Sequence, residues 1–295
     1  MNNPFGSLLT AMITPFDSDL KVDYDKVAEI ALFLIEKVSD GLVISGTTGE
    51  SPSLASEEKI NIFKAVMEAV GNKTKIIAGT GGNSTREAVE MSCRAAEAGV
   101  HGLMLVTPYY NKPTQEGLFL HFKSVANAVP LPIMLYNVPG RTGVNMSAET
   151  CLCLAEIDNI VAIKEASGNL EQVTRICAGA PAGFAVYSGD DVLTMPILSV
   201  GGTGVVSIAS HLVGPQIKDM INAFISGNIH NAIKAHQFLT PLFNALFIAT
   251  NPIPLKEALR LTGTDSGNLR LPLTSLPKDM VEKLAALLRE YRLIS

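Results

Sequence analysis

The chain has 295 residues, 47% of them hydrophobic, enough to bury a large core as one domain or two. Its net charge of −5 and the lack of any basic run argue against nucleic acid or an anionic membrane as the main partner. The N-terminal MNNPFGSLLT lacks the build of a secretory signal, and no stretch approaches the roughly 20 apolar residues of a membrane span, so a soluble cytoplasmic protein is expected.

Short apolar runs alternate with longer amphipathic segments. The runs cover 8–14, 41–45, 75–79, 101–107, 131–137, 159–164, 184–189 and 202–208. Their near-continuous apolar character suits strands buried on both faces. Helical periodicity fills 23–38, 56–70, 84–98, 115–128, 147–156, 169–178, 190–199 and 211–225. Ser56 before Glu57 and Glu58, Ser84 before Glu87, and Ser147 before Glu149 read as helix starts with acids in the first turn. Eight β-then-α units predict an α/β fold, a closed (β/α)8 barrel over residues 1–225. An open doubly wound sheet usually has fewer strands in this length, and no GxGxxG follows the first run. Residues 226–295 show helical patterns near 227–248, 252–262 and 278–291 and no clear strand, which predicts a C-terminal α-helical domain. Asn251-Pro252-Ile253-Pro254 marks a turn or a helix start inside it.

The four cysteines, at 93, 151, 153 and 177, read as small buried apolar residues in a reducing compartment. Cys151-Leu152-Cys153 is too tight for the usual zinc spacing, and the five histidines show no clear ligand pairing, so no metal site is expected.

In such a barrel the chemistry gathers at the C-terminal ends of the strands. There stand GTTGES (46–51), GTGGNS (79–84), TPYYNKP (107–113), YNVPGRTG (136–143), Lys164 and SGDD (188–191). NIVAIKEASGN ends a buried strand on an amine. Lys164 either leaves the core to pair with a carboxylate or stays buried, where desolvation favours the neutral, nucleophilic form. Tyr136 ends the adjacent strand, so a phenol can face that amine and relay protons while a Schiff base forms. Gly46-Thr47-Thr48-Gly49 is either a plain turn or a cradle of hydroxyls and N–H groups for a carboxylate. Arg141 can clamp a second carboxylate or form a surface ion pair, and Tyr109-Tyr110 suits an oligomer contact as well as it suits catalysis. Gly201-Gly202-Thr203-Gly204 reads as a tight entry into the eighth strand rather than a phosphate cradle, and Asp190-Asp191 as the start of the next helix.

In this order, LLTAMITPF, GTTGES, AGTGGNST, TPYYNKPTQEGLFLHF, YNVPGRTG, IKEASGN, YSGDD, GGTGVVSI and NPIPLKEAL cover nearly the whole chain. Together they resemble the dihydrodipicolinate synthase family, within the pyruvate-dependent class I aldolases that include N-acetylneuraminate lyase. The resemblance implies a lyase without cofactor, in which Lys164 forms the Schiff base with pyruvate. Tyr136 would relay protons, with Thr47 linking it to Tyr110 from a neighbouring subunit. Thr48 would hold the pyruvate carboxylate, Arg141 would receive the second substrate, and Gly189 and Val206 would line the pocket. It further implies a homotetramer built as a dimer of dimers.

Within that group, Arg141 and Thr47 favour the synthase pattern over the neuraminate lyases, which implies L-aspartate 4-semialdehyde as the partner of pyruvate in diaminopimelate and lysine biosynthesis. A sibling aldolase acting on a sugar acid and a non-catalytic keto-acid-binding barrel are the alternatives. Asn83, Glu87 and Tyr109 match a lysine effector site of the family. Pro52, Ser56 and Lys59 depart from its strongly inhibited pattern, so weak or absent lysine inhibition is expected.

Overall fold

The computed structural model describes residues 4–264 and 266–295. Its eight strands are β1 Leu8–Ala11, β2 Gly41–Ile44, β3 Lys75–Gly79, β4 Gly102–Val106, β5 Ile133–Asn137, β6 Ile160–Glu165, β7 Ala185–Ser188 and β8 Gly204–Ser207. They pair in parallel in sequence order, and β8 returns to β1. Nearly every strand residue is buried, as strands walled by helices outside and packed side chains inside must be.

The helices between them are α1 Tyr24–Glu36, α2 Ser56–Val70, α3 Thr85–Glu97, α4 Gln115–Ala128, α5 Pro139–Thr142, α6 Ala148–Ala155, α7 Leu170–Gly179, α8 Thr194–Ser199 and α9 Ser210–Ile225. Three more, α10 Ile229–Ala245, α11 Ile253–Leu261 and α12 Lys278–Glu290, follow the barrel. Ser84, Ser147 and Asn169 cap their helices by accepting an N–H three residues on. At α2 the cap is Ala55 rather than Ser56. There Glu58 Oε2 accepts the Ala55 N–H at 2.9 Å and satisfies the helix end from within. The short α5 has no apolar periodicity to reveal it; Pro139 opens it and Gly143, at φ +72°, closes it.

One sequence reading fails. The four thiols are unpaired, but only Cys151 is buried; Cys93 and Cys177 are half-buried and Cys153 is exposed. Two residues along a helix turn the side chain by about 200°, which puts Cys153 on the face of α6 opposite Cys151. The tight entry at 201–204 holds. A Cβ on Gly204 would lie 1.9 Å from the Ser7 carbonyl, so β8 enters the barrel only as glycine.

His211 of α9 is wholly buried, with Nδ1 2.9 Å from the Ile208 carbonyl and Nε2 facing the Ile13 N–H at 3.4 Å. Burial pushes its pKa from 6.5 down to about 4. The unfolded chain therefore takes the proton first, and the contribution of His211 to stability is complete above pH 6.5 and lost as pH falls toward 4. Asp191 acts in the opposite sense: burial raises it from 3.8 to about 6, so its contribution is lost as pH rises through 6. The expected result is that His211→Gln loses less stability than the parent between pH 6.5 and 4, by a difference on the order of 3 kcal/mol, read from urea melts at several pH values.

Candidate active site

The register of β5 against β6 sets Tyr136 directly beside Lys164, and Asn137 beside Glu165. Alternation along a strand then sends the first pair to one face and the second pair to the other. Lys164 is 6% exposed and Tyr136 5%. The Lys164 Nζ lies 4.4 Å from the centroid of the Tyr136 ring. Among the described residues no carboxylate stands within ion-pairing distance of that amine. The buried alternative is therefore the one the fold adopts: Lys164 stays inside without a counter-ion.

On the other face, Glu165 is buried among neutral donors. Its oxygens accept from Asn137 Nδ2 at 3.1 and 3.2 Å, from Gln172 Nε2 at 3.0 Å and from the Ser167 N–H at 2.7 Å. Asn137 Oδ1 accepts the Met146 N–H at 3.0 Å, which ties the segment after α5 to the same network. These bonds fix the two strand ends that carry Tyr136 and Lys164.

The turn after β2 begins and ends on left-handed residues, Ser45 at φ +51° and Glu50 at φ +53°. Such conformations cost energy in a non-glycine residue and persist where the surroundings impose them. Thr47 and Tyr136 line one cavity of about 270 Å³ with Tyr109, Lys59 and Arg141. Arg141 is exposed at its edge and makes no ion pair among the described residues. Thr48 is buried, and its Oγ1 accepts from Asn251 Nδ2 at 3.0 Å. Gly189 adjoins Lys164: a Cβ there would lie 3.2 Å from Lys164 Cε and 2.6 Å from Ala166 Cβ. Val206 is buried in β8, paired with Leu9, and is not among the residues lining the cavity.

Tyr110 stands apart. It is 89% exposed, sits at φ +71°, and does not line the cavity of its own chain. Asn83, Glu87 and Tyr109 line a second cavity of about 210 Å³, next to the first, with Lys59 and Tyr109 in the walls of both. Burial holds the Lys59 amine below the usual lysine range.

The sequence did not single out Glu50, Lys256 or Arg270, which brace the turn at 46–50. Lys256 pairs with Glu50 at 2.7 Å, and both are buried. The Arg270 N–H donates to Glu50 at 3.0 Å, and its guanidinium grips Glu58 at 2.7 and 2.9 Å. The available signal was a lysine on the apolar face of the IPLKEALRL helix, flanked by Leu255 and Leu259. Larger clefts open elsewhere, one of them lined by Pro4, Asp158 and Pro181, but none sets a lysine against a tyrosine.

A buried lysine without a counter-ion, a phenol against it, hydroxyls in a strained turn and an arginine at the edge form a site for covalent capture of a carbonyl acid. Residues 4–291 match the model of the dihydrodipicolinate synthetase family. A 4-hydroxy-tetrahydrodipicolinate synthase of Moorella thermoacetica is 53% identical over 290 residues, covering 98% of this chain and 99% of its own. Among solved structures, DHDPS from Cyanidioschyzon merolae with lysine bound has a TM-score of 0.97 at 48% identity, covering 99% of this chain and all of that one. A structure described as the first monomeric dihydrodipicolinate synthase variant has a TM-score of 0.96 at 38% identity, covering 99% of this chain and 98% of that one. Sequence and fold match from end to end, and the chain belongs to the dihydrodipicolinate synthetase family.

Proposed function

We propose that the chain is a 4-hydroxy-tetrahydrodipicolinate synthase, a class I lyase that condenses pyruvate with L-aspartate 4-semialdehyde without a cofactor. The buried, unpaired Lys164 amine against the Tyr136 ring carries this reading. Acting as the neutral amine, Lys164 attacks the keto carbon of pyruvate, and the carbinolamine loses water to give the Schiff base. Tyr136 delivers and recovers the protons of these steps. Loss of a C3 proton gives the enamine, whose carbon attacks the aldehyde. The amino group of the second substrate then displaces Lys164 and closes the ring. Thr47 stands in the same cavity to extend the relay, and Thr48 in the adjoining turn holds the pyruvate carboxylate. Gly189 leaves room beside Lys164 for the Schiff base, whereas Val206 stays in buried β8 outside the cavity lining.

The exposure and positive φ of Tyr110 support its reaching a partner's site to complete the relay, in a homotetramer built as a dimer of dimers. Residues 226–295 act as a helical unit on the barrel of 1–225. The four unpaired thiols suit a reducing compartment, the cytoplasm. The test is the initial rate with pyruvate plus aspartate semialdehyde, the product read through a coupled reductase. Absence of turnover with pyruvate still trapped by borohydride would move the reading to a sibling aldolase for a sugar acid.

Arg141 carries the choice of second substrate. It is exposed at the cavity edge without an ion pair, free to meet a carboxylate. Arg141→Ala is expected to raise KM for the aldehyde about 10- to 100-fold, the loss of a charged hydrogen bond, and to leave KM for pyruvate within about twofold. Equal effects on both substrates would remove Arg141 from that role.

The second cavity bears on regulation. Lys59 places a cation beside Asn83, Glu87 and Tyr109, where a cationic amino acid would meet repulsion. L-lysine at saturating concentration is therefore expected to leave the rate nearly unchanged. Inhibition at cellular lysine levels would contradict this.

A further inference from the structure

The segments after the barrel reach the turn at 46–50 through two side chains, Asn251 and Lys256, and the backbone N–H of Arg270, and the Asn251 side chain ends on Thr48 itself. Asn251, at the turn before α11, is 6% exposed and donates from Nδ2 to Thr48 Oγ1 at 3.0 Å. A hydroxyl has one proton and two lone pairs. With a lone pair engaged by the amide, the proton of Thr48 must be given elsewhere, and no described residue accepts it. The Lys256–Glu50 pair and the Arg270 N–H on Glu50 fix the turn two residues further on, so Thr48 has little freedom to swing away. Thr14 Oγ1 donates to the Gly49 carbonyl at 2.8 Å and pins the turn from the β1 side.

We infer that Asn251 is a positioning residue for the keto-acid substrate: it orients the Thr48 hydroxyl so that its proton points at the incoming carboxylate. The inference rests on the assignment of Thr48 as the group that holds pyruvate. A donor oriented before binding spares the cost of ordering it at the moment of binding. The amide type matters. An amide can offer Thr48 a donor, whereas a carboxylate can only take the hydroxyl proton for itself and would place a negative charge beside the substrate carboxylate.

The experiment uses the full chain and two readouts, borohydride trapping of pyruvate against pyruvate concentration, and steady-state KM for each substrate. Asn251→Ala is expected to raise the pyruvate concentration needed for half trapping about tenfold, and Asn251→Asp by more, with the aldehyde KM within about twofold. In a Thr48→Val background the Asn251→Ala change is expected to add nothing, because the hydroxyl it orients is gone. A merely structural Asn251 would lower the melting temperature and kcat without this split and would add to Thr48→Val in full. Unchanged pyruvate dependence in Asn251→Asp overturns the inference. Should the Asn251 variants fail to fold, Thr48→Val alone decides: unchanged trapping there removes the hydroxyl that Asn251 is held to orient. Parent protein that traps no pyruvate refutes the synthase reading itself, and the inference with it; parent that traps normally beside an unaffected Asn251→Asp refutes the inference alone.

Discussion

Lys164→Met is expected to abolish both turnover and the mass increase left by borohydride reduction with pyruvate, while melting no lower than the parent. The two halves have one cause. Lys164 is buried, and among the described residues no carboxylate compensates its amine. Such a group is held against the desolvation cost of its charged form, and an unbranched apolar side chain of similar length fills the same space without that cost. Sites under this kind of strain commonly trade stability for activity, and relieving it gains about 0.5–2 kcal/mol. The chain has a second buried lysine, Lys256, which sharpens the test. Burial lowers the pKa of Lys256, but its nitrogen is paired with Glu50 at 2.7 Å, a carboxylate that favours the ammonium form and leaves the nitrogen a poorer nucleophile. Lys164 alone of the two combines burial with no ion pair among the described residues and a phenol within reach. Peptide mapping of the trapped parent should place pyruvate on Lys164. A trapped adduct that survives in Lys164→Met would move the chemistry to another lysine.

How much of this was legible in the sequence depended on how local each signal was. The strands were visible because a strand buried on both faces is written as an unbroken apolar run, and the observed ends differ from the runs by three residues at most. Tyr136 and Lys164 were visible because Lys164 ends its run and Tyr136 stands one residue from the end of its own. Their opposition needed only the assumption that consecutive strands pair in register, which β5 and β6 do. The polar network behind them was not visible. Asn137 and Glu165 look like ordinary strand-end residues, and their partners Gln172 and Met146 come from other segments. Asn251 reads as a turn before a proline, and nothing nearby in sequence says that it bonds Thr48, 203 residues away. Cys153 failed for a simpler reason: composition suggested burial, and the helix face decided otherwise.

The ion pair beneath the turn gives the largest effect on stability. Lys256→Met leaves the Glu50 carboxylate buried without its ion pair, with the Arg270 N–H as its hydrogen bond and the Arg270 guanidinium acting on it from further away. Removing one partner of a buried pair costs about 3–5 kcal/mol, because the remaining charge is uncompensated. That loss should appear as a lower urea midpoint with the slope unchanged. Replacing both partners tells a different story. Glu50→Gln with Lys256→Met removes both charges and keeps an acceptor for Arg270, and such double changes are often neutral in stability. The double variant is therefore expected to recover most of the loss. Glu50 and Lys256 join the turn that carries Thr47 and Thr48 to α11, and a neutral amide cannot hold a methionine as a carboxylate holds an ammonium. So recovered stability should come with a raised pyruvate KM, which would mean that the charges are kept to place the turn rather than to hold the fold. Full recovery of both stability and KM would make the pair dispensable, and would leave the hydrogen bonds of Thr14, Asn251 and Arg270 to hold the turn.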